Sequence, residues 1–115
     1  MVYKPENDRN KHSLDEKMLL KELKRQHISH IKIVLAQAKL ESANFSSHIA
    51  HANNNIFGIK HNGKYAKYKS WKECVKDYKD SIQVKYHGGD YFSFLKKIHY
   101  SENPKYESIL KNIIA

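Results

Sequence analysis

The chain has 115 residues, 40% of them hydrophobic, which is enough for one modest core and too many for a disordered segment. Lys and Arg number 21 against 12 Asp and Glu; the formal charge of +9 favours polyanionic partners such as nucleic acid, anionic membrane surfaces or wall polymers, beside a merely solvated lysine-rich surface. The single cysteine, Cys74, excludes an intramolecular disulfide, and no apolar run reaches the ~18 residues that a membrane span needs.

Residues 1–12 are polar, contain Pro5 and read as a flexible arm ahead of a single domain over 13–115. MVYKPENDRN lacks a basic segment followed by an apolar one, so no signal peptide is expected and the chain reads as made in the cytoplasm. Ser13 and Glu16 have the S-x-x-E form of a capping box. Leu14, Met18, Leu19 and Leu23 then mark a first helix ending near Gln26. A second helix, roughly 29–42, is apolar around most of its girth (Ile31, Val34, Leu35 and Ala38, widened by Ile33, Ala36 and Leu40) and is the expected centre of the fold. SANFSSHIAHANNN reads as a loop with a short helical turn, and IFGIKHNGKYAKYKS as a short hairpin around His-Asn-Gly. Helical spacing returns from Ser70 through Trp71, Cys74, Val75, Tyr78 and Ile82, with Cys74 on the apolar face; HGGD at 87–90 breaks it. A short helix over about 91–98 and a last one from Pro104 to Ile114, with the proline in its first turn, complete a compact, mainly α fold with a small β-like insertion.

Glu41 stands at the inner end of the second helix, where Ala38, Gln37 and Val34 precede it by three, four and seven residues. A carboxylate flanked by apolar neighbours is partly desolvated, which raises its pKa. A carboxylic acid still protonated near neutral pH is what glycosidic bond cleavage requires of its general acid. Position alone is equally that of a helix-end glutamate turned to solvent.

Four segments in order, LESANF, NNNIFGIK, YKSWKECVKDY and IHYSENPKYESILKNI, resemble the motifs of the glucosaminidase family (glycoside hydrolase family 73) over roughly residues 28–114. The Y-x-F-L-x-x-I-x-Y run from Tyr91 to Tyr100 is similar to the short members found in Bacteroidetes and their phages. The resemblance implies a lysozyme-like α+β fold and cleavage of the β-1,4 bond after N-acetylglucosamine in peptidoglycan, without a cofactor. It also implies that Glu41 is the general acid and that Tyr100 lies near the scissile bond. Asn54, Asn55, Phe57 and Gly58 then build the floor of the cleft, and Tyr106, closing the P-x-Y motif, lies in the same cleft. Trp71 and Tyr78 fit core anchors of the following helix better than sugar platforms.

The chain departs from the pattern in three places. Ala43 replaces the usual glycine after Glu-Ser, and His99-Tyr100-Ser101 replaces Gly-Tyr-Ala. Longer members carry a second carboxylate in a hairpin whose counterpart here, HNGKYAK, contains no Asp or Glu. Glu73 is the nearest candidate downstream and Asp77 the next, yet both match structural positions near a helix start. With no evident partner for Glu41, attack falls to the substrate's own acetamido group or to a water held near Tyr100.

Two other readings stay open at this point: a lysozyme or lytic transglycosylase, which also has a helix-end glutamate followed by serine, and a non-catalytic wall-binding module on the same scaffold. The pairs His27/His30 and His48/His51 have i, i+3 spacing, but no HExxH or carboxylate motif accompanies them, so no metal is expected. No nucleic-acid motif is present, and the expected partner is peptidoglycan, met by a monomer. A missing export signal fits a phage endolysin, a virion-borne wall hydrolase, or a chain whose signal has been removed.

Overall fold

The computed structural model describes residues 14–115, so the expected arm over 1–12 and the Ser13 cap lie outside the described residues. It is a compact, mainly helical fold, with α1 Glu16–Arg25, α2 Ile31–Glu41, α3 His48–Ala52, β1 Lys60–His61, β2 Lys64–Tyr65, α4 Trp71–Ser81, α5 Tyr91–Lys97 and α6 Tyr106–Ile114. A 3₁₀ turn, Gln83–Lys85, follows α4. None of the described helices is long and apolar enough to cross a membrane.

The start of α1 differs from expectation. Asp15 is its N-cap, accepting from the Met18 N–H at 2.8 Å, while Glu16 pairs with Lys39 Nζ at 2.8 Å. Leu19 and Leu23 point inward and are fully buried; Glu22, buried beside them, is held ionised chiefly by its hydrogen bonds to Arg25, with Gln26 adding a further donor.

α2 is the central helix: it packs on both α1 and α6, with Val34, Ala36 and Ala38 buried. Packing on two helices at once needs more than one apolar stripe, which explains an apolar girth wider than an amphipathic surface helix would show.

Three helices end in the same way, and the third ending positions a site residue. α1 closes through His27 (φ +59), with Ile28 N–H donating to Leu23 C=O and His27 N–H to Lys24 C=O. This is the Schellman pattern, in which one residue in the left-handed region satisfies the last carbonyls. α2 closes through Ala43 (φ +51), with Asn44 N–H bonded to Lys39 C=O at 2.8 Å. α5 closes through His99 (φ +57), with Tyr100 N–H bonded to Leu95 C=O at 3.0 Å, so that Tyr100 turns back onto the core. His27 and His30 therefore sit in the left-handed links around the α1–α2 turn, not on one helical face.

The hairpin pairs Lys60 with Tyr65 and His61 with Lys64, and Asn62 (φ +55) and Gly63 (φ +78) take the turn that a two-residue type I′ connection requires. Asn55, 1% exposed, staples its base by accepting from Ile59 N–H and donating to the carbonyls of Ile59 and Ala66.

α4 starts at its Ser70 N-cap and buries Cys74, Val75 and Tyr78, with Trp71 half-buried against the same core. Burial pushes the Cys74 thiol up to about 11, so it stays a neutral core residue. The last helix begins two residues later than expected. Asn103 accepts from Lys105 N–H through its side chain and from Tyr106 N–H through its carbonyl, and this turn holds Pro104 outside α6. Leu110, fully buried, anchors α6; truncating a side chain so placed to alanine costs about 2–5 kcal/mol.

Candidate active site

Glu41 is the last residue of α2, and its carboxyl group faces a cleft of about 640 Å³ whose walls include Gly58, His61, Tyr65 and Tyr100. Gly58 (φ +65) comes so close that a Cβ there would lie 3.2 Å from Glu41 Oε1. Glycine therefore serves twice here, for the backbone angle and for the space beside the carboxylate. Desolvation raises the Glu41 pKa; the Tyr106 hydroxyl, donating to Oε2 at 3.3 Å, opposes that rise. The result is a carboxyl group open to the cleft whose protonated form is favoured over that of an ordinary surface glutamate.

Tyr106 ends a polar chain whose middle members, Gln37, Tyr78 and Tyr91, are buried. An ionised Glu41 only accepts, so the Tyr106 proton is directed to it, and the Tyr106 oxygen accepts from Gln37 Nε2 at 3.1 Å. That fixes the Gln37 amide, whose Oε1 accepts from the Tyr78 hydroxyl. The Tyr78 oxygen in turn takes the proton of Tyr91, at 2.8 Å, and Tyr91 accepts from Gln83 Nε2 at 3.0 Å. Every donor in the series Gln83, Tyr91, Tyr78, Gln37, Tyr106 points towards Glu41, and such aligned bonds polarise one another. Gln37 is fully buried, one turn before Glu41 on the same helix. Sequence reasoning missed it, although a lone glutamine in an apolar helix was the available signal.

Tyr100 lines the cleft, but its hydroxyl donates to Phe57 C=O at 3.1 Å. Its ring stacks on Tyr106 at 5.9 Å, and burial holds its pKa well above the usual tyrosine value. Tyr100 thus ties the end of α5 to the residue before Gly58 and keeps Tyr106 in place. The Phe57 side chain itself is buried, 4.5 Å from the Tyr78 ring.

The remaining residues singled out in the sequence fall elsewhere. Asn54 donates to Tyr68 C=O at 3.0 Å and borders a separate pocket with Phe45, His51 and Trp71. Asn55 is consumed by the hairpin base. Glu73 sits in the first turn of α4, where its carboxylate accepts from Lys69 N–H at 3.2 Å and its own N–H donates to Ser70 Oγ. Among the described residues bordering the Glu41 cleft, Glu41 is the one carboxylate. A second pocket of about 270 Å³, bordered by Phe92, Asn103 and Tyr106, shares the lining residue His99 with the cleft.

The profile of a family described as Glucosaminidase, mannosyl-glycoprotein endo-beta-N-acetylglucosaminidase, matches residues 16–115. No curated protein and no solved structure matches the chain. A profile match that runs from the first turn of α1 to the final residue takes in every element that builds the Glu41 cleft, and on that ground the chain belongs to the Glucosaminidase family and is a glycoside hydrolase.

Proposed function

We propose that the chain is a peptidoglycan hydrolase that cleaves the β-1,4 bond after N-acetylglucosamine, with Glu41 as the general acid. The observation that carries this reading is the setting of Glu41: a helix-end carboxyl group in a cleft, raised in pKa by desolvation and held by the Tyr106 hydroxyl. A proton donor to a glycosidic oxygen must be protonated in the substrate complex and ionised after transfer, and Tyr106 steadies the ionised form. A positive surface suits anionic wall material, met by a monomer released to the wall as an endolysin or carried there on a virion.

Two-carboxylate schemes place their partner about 5–9.5 Å from the acid. Since Glu41 alone of the described cleft residues is a carboxylate, the attacking group is the substrate's acetamido oxygen or a water.

The test is Glu41→Gln, compared with the unmutated chain for clearing of purified peptidoglycan and for binding to it. Loss of lysis by at least about 10³-fold with binding retained is expected. New reducing N-acetylglucosamine ends identify a glucosaminidase, whereas anhydro-muramyl ends would identify a lytic transglycosylase. Binding without lysis by the unmutated chain would leave a wall-binding module.

A further inference from the structure

We propose that His61, held by Asp77, is the general base that activates the water attacking the anomeric carbon. The proposal rests on Glu41 being the general acid.

The hairpin places His61 on the wall of the cleft that Glu41 also borders. Its Nε2 lies 2.8 Å from Asp77 Oδ2. The Asp77 side chain is four-fifths covered and also accepts from Ser81 Oγ at 2.6 Å and from the Tyr68 hydroxyl. Burial by itself would raise the Asp77 pKa, but the donors from Ser81, Tyr68 and His61 outweigh it and hold the group below the ordinary aspartate value. Asp77 is accordingly ionised at neutral pH and accepts from His61, which puts the imidazole proton on Nε2. The lone pair of neutral His61 is then on Nδ1, and among the described residues no hydrogen bond engages that atom. A carboxylate that orients an imidazole and steadies its charged form is the arrangement general-base histidines use.

The chemistry closes without a second carboxylate. Water adds to the anomeric carbon and loses one proton to His61 Nδ1. The bond from that carbon to the bridging oxygen breaks, and the oxygen leaves with the proton of Glu41. Imidazolium and carboxylate then return to their starting forms by proton exchange with solvent. Water attacking opposite the departing oxygen gives an inverted product.

A plainer role for the same contacts is to staple the hairpin to α4, and the test separates the two. The full chain is assayed on purified peptidoglycan for kcat and KM, with the anomeric form of the first product read by NMR. His61→Gln retains an amide donor for Asp77 but carries no base. We expect its kcat to fall about 10²-fold or more with KM within about threefold and the thermal midpoint unmoved. In His61→Ala, added imidazole should restore at least about tenfold of the loss. The unmutated chain should release the inverted anomer first. A His61→Gln kcat within about threefold of the unmutated chain overturns the proposal, as does a retained anomer, which assigns the attack to the acetamido group. Glu41→Gln run in parallel keeps the failures apart: if it is inactive while His61→Gln is active, only the base assignment falls, and if Glu41→Gln is active, the general-acid reading falls as well.

Discussion

Replacing Gly58 with alanine isolates how tightly the cleft holds its carboxyl group. Gly58 has φ +65, and an alanine in the left-handed region costs about 1–2 kcal/mol. At roughly 4 °C per kcal/mol, the thermal midpoint should fall about 4–8 °C. The added Cβ would lie 3.2 Å from Glu41 Oε1, short of the ordinary contact range of 3.4–4 Å, so the carboxylate must retreat by a few tenths of an ångström. A displacement of about 1 Å at a reacting group is worth about 10²-fold; on a logarithmic scale, 0.3–0.5 Å is worth roughly 4–10-fold in kcat. Gly89→Ala is the control. Its φ of +89 imposes comparable backbone strain, but nothing lies within 4 Å of its Cβ. Calorimetry should show similar midpoint losses in the two variants, while reducing-end release from peptidoglycan should show the kcat loss in Gly58→Ala alone. Equal kcat in both would refute a carboxylate confined by Gly58.

Tyr106→Phe should move the pH dependence in a definite direction. In the proposed role Glu41 acts protonated, so activity would be lost as pH rises through its pKa; the Tyr106 hydroxyl lowers that pKa, and removing it should shift the alkaline limb of kcat/KM to higher pH. A limb that stays put or moves down would contradict the assigned hydrogen bond. Ala43→Gly should raise the thermal midpoint by about 2–4 °C, because relief of the left-handed strain at φ +51 exceeds the extra chain entropy of glycine. A destabilised variant would show that the α2 ending carries no such strain. Lytic activity on whole peptidoglycan should fall as salt rises from 0.05 to about 1 M, where the screening length shrinks to about 3 Å. An activity flat over that range would remove the role given to the basic surface.

Much of this arrangement was legible in the chain because it is local. The I′ turn follows from Asn62-Gly63, and the α4 start from Ser70; both are set within a few residues. Glu41 was legible as a candidate because several ordered motifs surround it, and the structure puts it on the wall of a cleft. The start of α6 was misplaced because Asn103 competes for the backbone donors that a proline-led first turn would leave free. Gln37 and Tyr106 are 69 residues apart and His61 and Asp77 are 16 apart. No periodicity encodes those meetings, which arise only once α2 packs on α6 and the hairpin folds towards α4.

The chain of donors ending at Glu41 also bears on how such a core can change over generations. Exchanging one member, Tyr78 for phenylalanine or Gln37 for leucine, strands its neighbours' polar atoms in a dry interior, at about 1–3 kcal/mol for each atom left unpaired. Exchanging several together for apolar residues of matching shape can be nearly neutral for folding, yet it would leave Tyr106 without the amide that fixes its hydroxyl. Among related chains, positions 37, 78, 91 and 106 should therefore vary as a block. A lineage that has traded the block for hydrocarbon should still fold, but its cleft should hold a glutamate with no fixed hydroxyl beside it.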